Sequence, residues 1–322
     1  MWCDLMRERI GLKLVKRLML CVMVVLVAMP QSAHAADRDK VFKSLQKNGV
    51  IGEVNHIDLK LSKVKKAHYY LVINDSHIIV QSPEITDKKT IDERIKSFSA
   101  KTGVESRENF RKLMSRADEL KLDGIILNGD IVDEYTASNL KEAYTSIKGV
   151  KIPVIFLQSD HDTKSWWAKN ADKKRAAAYA KRLGMTSALI EKSDSELILV
   201  GLNDSYKNIE AAPEKRLEKL FKAKKPVILF SHVPFVTKKP ETFKAFVDAK
   251  RGKSLFWGKG GIYKANPYTK KLLGLLNKSS TSPAAVICGH IHYEYSGRLA
   301  GGAPEYICPP FFEGGVTLLT VR

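Results

Sequence analysis

Aspartate and histidine residues recur in this sequence at one relative position, directly after short apolar runs. Five apolar runs are followed by the polar segments Asn-Asp-Ser-His (74–77), Asn-Gly-Asp-Ile-Val-Asp (128–133), Gln-Ser-Asp-His-Asp (158–162), Ser-His (231–232) and Gly-His-Ile-His (289–292). Carboxylate oxygens and imidazole nitrogens are donors that suit zinc, iron and manganese. The pattern therefore indicates metal chemistry.

The number of these histidines argues against a purely structural explanation. Seven of the eight histidines lie beyond residue 35, and five of those seven follow an apolar run within five residues. A single histidine in such a place is more often a satisfied core residue. Burying five of them together with carboxylates costs several kcal/mol each unless the groups are paired or bind a metal ion.

The elements that must position these residues alternate along the chain. Apolar runs predict strands at 69–73, 124–127, 154–157, 197–200, 227–230 and 285–288. Helical spacing of apolar residues predicts helices at 37–48, 107–120, 172–183 and 213–222. Apolar strands separated by helices are typical of sheets that are buried on both faces. Ligands in such folds bind beyond the carboxyl ends of the strands, which is where the five polar segments begin.

In this order, the five segments resemble the motifs of the calcineurin-like metallophosphoesterase superfamily, over roughly residues 67 to 322. The resemblance implies an α/β fold, the two-sheet αββα sandwich of that superfamily. It implies an enzyme that hydrolyses a phosphate mono- or diester, with a phosphate-ester substrate as its partner. It also implies two divalent metal ions as cofactors, and the sequence leaves manganese, iron and zinc open.

The resemblance assigns a role to each motif residue. The metal ligands would be Asp75, His77 and His292 at the first metal, Asp160, His232 and His290 at the second metal, and Asp130 as the bridge between them. His161 would lie beside the metals and assist the substrate or the leaving group. Asp133 would orient His161 by accepting its ring N–H.

The third segment departs from the family pattern, which reads Gly-Asn-His followed by Asp or Glu. Here Ser159 replaces the glycine and Asp160 replaces the asparagine. Asp160 is still an oxygen ligand, but it adds a negative charge where a phosphate must bind. The alternative interpretation is therefore a catalytically weakened metal-binding or interaction protein on the same fold. The other motif positions are intact, which favours the enzyme.

The net charge of +19, from 54 Lys and Arg against 35 Asp and Glu, draws anions to the surface. The lysines are spread over the chain rather than clustered, so we expect no stable complex with nucleic acid. A protein that only binds nucleic acid would also leave the Asp and His residues after the strands unexplained. The sequence does not indicate an oligomeric state.

The first 35 residues carry the three-part pattern of a secretory signal peptide. Basic residues precede an apolar core at 18–29, and Ala33 and Ala35 offer small residues for cleavage after Ala35. We expect an exported protein, periplasmic or secreted, with no membrane span after cleavage; the alternative is an uncleaved anchor. Residues 36–66 would then form an N-terminal extension and residues 67–322 the metallophosphoesterase-like domain.

Three smaller features stay open in the sequence. Cys288 and Cys308 could pair in an oxidising compartment, but sequence does not fix the geometry that a disulfide needs. Trp166 and Trp167 follow the third segment and could contact a substrate or begin a packed helix. We interpret residues 204–206 as a surface loop, with a wall of the substrate site as the alternative, and residues 253–264 as a loop near the site.

Overall fold

The computed structural model describes residues 31–85, 87–205, 211–235, 238–251 and 266–322. Within them, a five-stranded sheet has the order β1-β11-β2-β3-β4 and a six-stranded sheet has the order β5-β6-β7-β8-β10-β9. The first sheet contains β1 (Val54–Leu59), β2 (His68–Ile73), β3 (Gly124–Asn128), β4 (Val154–Leu157) and β11 (Val316–Val321). The second contains β5 (Leu189–Ser193), β6 (Ile198–Leu202), β7 (Val227–Ser231), β8 (Ala285–Cys288), β9 (Tyr295–Arg298) and β10 (Pro304–Ile307).

Eight α-helices lie within the described residues. They are α1 (Gln31–Lys47), α2 (Lys88–Ser97), α3 (Ser106–Ser115), α4 (Ala137–Ile147), α5 (Lys173–Arg182), α6 (Ala211–Phe221), α7 (Pro240–Arg251) and α8 (Pro267–Leu276). Short 3₁₀ turns occupy Ala117–Leu120, Ser279–Thr281 and Phe311–Glu313. None of the helices in the described part of the chain is long and apolar enough to cross a membrane.

Three apolar layers hold these elements together. Between the sheets, Val72 and Ile126 of the first sheet belong to one core with Ile228 and Ile287 of the second. The strand residues that point the other way pack against helices, because successive side chains of a strand alternate between its two faces. Leu71 of β2 thus shares a core with residues of α1, α3, α4 and α5, and residues of β7 share another with α6, α7 and α8. This arrangement confirms the predicted αββα sandwich.

The strands that precede the polar segments end at one edge. β2, β3 and β4 are parallel, with Ile73 opposite Leu127 and Asn128 opposite Leu157. In the second sheet β7 and β8 are also parallel, with Phe230 opposite Ile287. All five polar segments therefore leave the two sheets at their carboxyl ends.

The helix predicted at 107–120 is wrong in its second half. α3 ends at Ser115, and residues 117–120 form a tighter 3₁₀ turn that Lys121, with a φ of 51°, closes. The break lets the chain reverse before β3, where the carboxylate of Asp123 accepts a hydrogen bond from the Tyr69 N–H at 2.8 Å. Local spacing of apolar residues does not register this tertiary requirement.

The region before residue 67 contributes to the same fold. Val41, Phe42 and Leu45 of α1 lie in the core beneath the first sheet, and β1 pairs in parallel with β11 from the end of the chain. The division into an extension and a domain stays a prediction, as does cleavage after Ala35, which lies in α1. The apolar segment 18–29 and the loop at 253–264 lie outside the described residues.

Candidate metal centre

The structure brings the nine predicted site residues together at the common edge of the two sheets. They form four overlapping groups, in each of which one donor atom per residue lies within 4.8 Å of the others. The groups are Asp75–His77–His292, Asp130–His232–His290, Asp130–Asp160–His161 and His77–Asp133–His161. Their catalytic and ligand roles stay predictions.

The backbone at these residues is unusual. Six described non-glycine residues have a positive φ, and five of them are predicted metal ligands: Asp75, His77, Asp130, His290 and His292, at 44–70°. Left-handed backbone is uncommon for residues with a side chain and clusters at functional sites. In the Asp-x-His segment both side chains reach one donor group, whereas in the His-x-His segment His290 and His292 reach two different groups.

Two glycines allow the segments to approach each other. At Gly129, with a φ of 87°, a Cβ would lie 2.5 Å from Cγ of His232. At Gly289 it would lie 2.7 Å from Oδ2 of Asp75. Both motif glycines are therefore required because an imidazole and a carboxylate occupy the space that a side chain would need.

The carboxylate of Asp75 faces a set of imidazoles. Oδ1 lies 3.3 Å from Nε2 of His292, 3.5 Å from Nε2 of His232 and 4.0 Å from Nε2 of His77. This oxygen is buried and has no hydrogen-bond partner among the described residues, whereas Oδ2 accepts the backbone N–H of His290 at 3.1 Å. A buried anionic oxygen surrounded by imidazole nitrogens is an arrangement that a cation would satisfy.

Asp130 lies between the two groups of histidines. Its Oδ2 is 3.1 Å from Nε2 of His232 and 3.9 Å from Nε2 of His77. Nδ1 of His232 donates to the carbonyl oxygen of Asn128 at 2.7 Å. Because a carbonyl only accepts, this bond directs Nε2 of His232 towards the carboxylates, the orientation that a metal ligand needs.

Asp133 connects two histidines to an arginine. Its Oδ1 lies 3.1 Å from Nδ1 of His77 and 3.3 Å from Nδ1 of His161. Nδ1 of His161 also donates to the Asp133 carbonyl oxygen at 2.9 Å. Arg94 of α2 donates from Nε and Nη2 to the same carboxylate. The sequence predicted the contact with His161 and missed those with His77 and Arg94.

The third segment, residues 158–162, forms a turn that accommodates Ser159 and Asp160, the two residues that depart from the family pattern. Ser159 is buried with a backbone that needs no glycine, since it is absent from the described residues of positive φ. Asp162 holds the turn by accepting the N–H groups of Ser159, Ile131 and Val132 at 3.0–3.1 Å. Asp160 is half-buried and lies with Asp130 and His161 rather than in the group of His232 and His290.

The environment shifts the pKa values of two neighbouring histidines in opposite directions. Burial lowers the pKa of His77 to about 4, although Asp133 opposes the shift. Burial also disfavours the charged form of His161, but Asp130 and Asp133 outweigh it and raise its pKa to about 10. The opposite shifts favour the neutral ring at His77, which is the form that metals bind, and the protonated ring at His161.

The two central carboxylates stay ionised in spite of their burial. Burial by itself would raise the pKa of Asp75, but His232 and His292 hold it below the ordinary value. Burial would also raise the pKa of Asp130, but the nearby cations His232 and His161 outweigh it and hold that pKa well below its usual range. The pair thus offers a fixed negative charge between imidazoles.

Aromatic rings cover one side of the site. Phe98 stacks on His77 with ring centroids 3.9 Å apart and planes 5° from parallel. Phe312 lies 5.0 Å from both Phe98 and His292. These rings keep water from one face of the imidazoles and fix their orientation.

Asp204 and the two cysteines lie outside the motifs and are buried. Asp204, interpreted as part of a surface loop, is buried, and its Oδ2 accepts from Ser231 Oγ at 2.9 Å and from the Val233 N–H at 2.7 Å. It therefore holds the turn that carries His232. Its position after the apolar strand β6 was the signal that could have found it. Cys288 and Cys308 are both buried free thiols in the structure.

One protein family and several solved structures are similar to this chain. Residues 68–294 match the family described as calcineurin-like phosphoesterase. No curated protein sequence matches the chain. A dimetal phosphatase from Danio rerio is 12% identical over 76% of this chain and 88% of that chain, with a TM-score of 0.45. A purple acid phosphatase from yellow lupin (Lupinus luteus) seeds is 10% identical over 79% and 45% of the two chains, with a TM-score of 0.47.

The family match spans well over half of the chain and contains all nine residues of the candidate metal centre. The donor set of carboxylates and imidazoles suits the divalent metals on which such hydrolases depend. The chain belongs to the calcineurin-like phosphoesterase family and is a metal-dependent phosphoesterase.

Proposed function

We propose that this protein is an exported hydrolase of phosphate mono- or diesters that works through two divalent cations, bound on either side of Asp130. The observation that carries the proposal is the position of Asp130, whose carboxylate lies between His232 and His77. Two metals held by one bridging carboxylate are the arrangement that in-line displacement at phosphorus uses.

The residues present fit such a pair of cations. The first would be held by Asp75, His77 and His292, and the second by His232 and His290, with Asp130 shared; Asp160 lies with Asp130 and His161. Divalent cations in such a site supply Lewis acidity to the phosphoryl group and to the attacking water. The buried Oδ1 of Asp75, which has no hydrogen-bond partner among the described residues, supports the first position.

His161 supplies the proton for the leaving group. Its Nδ1 is held by the carbonyl oxygen of Asp133, so its Nε2 is the atom that can reach a substrate. Asp130 and Asp133 raise the pKa of His161 against the effect of burial, which favours the protonated ring that a proton donor needs. Donation from Nε2 to the ester oxygen would let the alcohol leave without carrying a full negative charge.

The test is hydrolysis of 4-nitrophenyl phosphate and bis(4-nitrophenyl) phosphate by purified protein with manganese, iron or zinc added separately. We expect turnover with at least one metal and loss of turnover in a chelator. His161→Ala should lower kcat by about 10²–10⁴-fold while metal content stays near that of the wild type. His56→Ala, at an exposed histidine on β1, is the matched control.

The outcomes separate the alternatives. Metal binding without turnover of any ester would favour the catalytically weakened metal-binding protein, with Asp160 as its cause. Loss of metal from His161→Ala would make His161 a ligand and remove its assigned role.

Export rests on the basic and apolar pattern of the first 35 residues and on Ala33 and Ala35 before the predicted cleavage point. N-terminal sequencing of protein recovered from outside the cytoplasm tests it. A mature protein that begins at Ala36 is the expected result, and a full-length membrane-bound product would contradict it.

A further inference from the structure

Two adjacent tryptophans at the rim of the site have opposite environments. Trp167 is half-buried, packs beside Ile79 and Ile85, and lies under the guanidinium of Arg94 at 4.4 Å. Trp166 has 41% of its surface exposed, the largest exposed fraction among the exposed large apolar residues in the described part of the chain. Trp166 contacts the Trp167 ring at 5.8 Å between centroids and the Lys164 ammonium at 5.6 Å, so packing accounts for part of its surface and leaves the rest exposed.

The exposed ring lies next to the proposed proton donor. The centroids of Trp166 and His161 are 4.5 Å apart and their planes meet at 66°. The indole of Trp166 is therefore in contact with the imidazole of His161, the proposed proton donor to the leaving group. A planar group of the leaving alcohol, bonded to the ester oxygen as in an aryl ester or carried on a ribose as in a nucleotide, could contact Trp166 when that oxygen accepts a proton from His161.

The backbone around Trp166 is held on both sides. Ser165 Oγ donates to the Tyr135 carbonyl oxygen at 2.7 Å, and the Tyr135 N–H donates to the Lys164 carbonyl oxygen at 2.7 Å. The Trp167 N–H donates to Oε2 of Glu134 at 3.3 Å. These bonds tie the tryptophan segment to the residues directly after Asp133, so the exposed ring is carried by the structure that orients His161.

We propose that Trp166 is a specificity-determining residue that stacks on a planar aromatic group of the leaving alcohol, so that the preferred substrates are small nucleoside or aryl phosphate esters. The proposal rests on the proposed function. Stacking on an indole is tolerant of the identity of the ring, because every base and aryl group offers a π-face. The proposal therefore names a class of leaving groups rather than one compound.

The first experiment compares substrates that differ only in the leaving alcohol. Phosphate release from adenosine 5′-monophosphate and from glycerol 3-phosphate is measured for wild type, Trp166→Ala, Trp166→Phe and the control Tyr268→Ala, which removes an exposed aromatic ring of α8. If the enzyme takes only diesters, bis(4-nitrophenyl) phosphate and glycerophosphoethanolamine replace the pair. Each variant is compared with wild type on the same substrate, so differences in intrinsic reactivity cancel.

Trp166→Ala should lower kcat/KM for the aromatic ester by about tenfold, since stacking on an aromatic side chain contributes of this order per base. The same variant should change kcat/KM for the glycerol ester by less than about twofold. Trp166→Phe should retain most of the preference, and Tyr268→Ala should match wild type on both. Equal losses on both esters, or no loss on either, would overturn the proposal while leaving the proposed function in place.

The second experiment needs no turnover. Adenosine 5′-monophosphate is titrated into protein kept in a chelator, and tryptophan fluorescence is followed in wild type and in Trp166→Phe. We expect quenching in wild type that is largely lost in the variant, and no quenching by glycerol 3-phosphate. If no ester is hydrolysed, the proposed function fails, and this titration alone decides the role of Trp166. Equal quenching in both proteins would show that the aromatic group binds elsewhere.

Discussion

Arg94 donates two hydrogen bonds to the buried carboxylate of Asp133, from Nε to Oδ2 at 2.9 Å and from Nη2 to Oδ1 at 2.6 Å. The guanidinium lies 4.5 Å from the ring of Phe98 and 4.4 Å from that of Trp167. Phe98 in turn stacks on His77. This continuous stack therefore holds the guanidinium of Arg94 in place. The guanidinium in turn holds the carboxylate of Asp133, which contacts His77 and His161.

The first prediction is that Arg94→Gln lowers kcat by about 10–100-fold, the range found when a residue that orients a site ligand is removed. Arg94→Lys should fall between wild type and Arg94→Gln, because a lysine can pair with Asp133 but cannot form the two-point fork. The KM should change less than kcat, since Arg94 acts through Asp133. Steady-state kinetics with metal analysis of each variant are the measurement.

Arg116→Gln is the control for Arg94. Arg116 forms the same kind of fork with Glu119, but on the surface and away from the site. It should leave kcat unchanged. If both Arg94 variants matched wild type, or if both lost activity only through a fall in Tm, the positioning role would be wrong.

The second prediction concerns the two central carboxylates. Asp130→Asn should reduce the content of both metals, because its Oδ2 lies between Nε2 of His232 and Nε2 of His77, which belong to the two proposed metal positions. Asp75→Asn should mainly remove the metal held with His77 and His292. Metal analysis of the purified variants, with circular dichroism as the check on folding, distinguishes the two. Two metals retained in Asp130→Asn would refute the bridging assignment.

The motif residues could be predicted because each segment is local: an apolar strand, a turn and its polar residues stand together in the sequence. Arg94 could not, because it lies on the polar helix α2, 39 residues before Asp133. Only the packing of α2 beside the site brings the guanidinium of Arg94 to the carboxylate of Asp133. Phe98 was missed for the same reason, since stacking on His77 leaves no periodic signal.

Asp204 and Asp160 show two other limits of the sequence. Asp204 follows an apolar strand like the motif residues, but it holds the backbone beside His232 instead of facing the metal site. The sequence shows that a carboxylate follows a strand. It does not show the direction in which that side chain points. For Asp160, a family pattern supplied the expected ligand, and the structure places its carboxylate with Asp130 and His161.

The third prediction follows from Glu305, which is fully buried in β10. Burial raises its pKa to about 8, although its Oε1 accepts the Phe235 N–H at 2.7 Å. The folded protein therefore keeps a proton that the unfolded chain releases above its ordinary pKa of 4.5. The contribution to stability is fully present below that value and is lost as pH rises towards 8.

Glu305→Gln should remove this pH dependence and be more stable than wild type at about pH 8. The slope that disappears is at most about 1.4 kcal/mol per pH unit. Urea unfolding in a chelator, at several values from about pH 5 to about pH 8, is the measurement. Glu313→Gln, at an exposed carboxylate, is the control. The same slope in wild type and in Glu305→Gln over this range would contradict the prediction.

The last prediction tests the residue at which this chain departs from its family. Asp160→Asn removes one negative charge from the group that contains Asp130 and His161. Coulomb energy is proportional to the charge of the substrate, so a dianionic monoester gains twice as much free energy as a monoanionic diester. The fold-change in KM for the monoester should then be the square of that for the diester, for example about tenfold against about threefold. Affinity for the second metal should fall, because a neutral amide holds a cation less well than a carboxylate.

The measurement is KM for both ester types at saturating metal, and Glu218→Gln, which removes the same charge from the surface of α6, is the control. Equal changes in the two KM values would show that Asp160 acts through geometry rather than charge, and unchanged values would place its carboxylate outside the reach of the substrate.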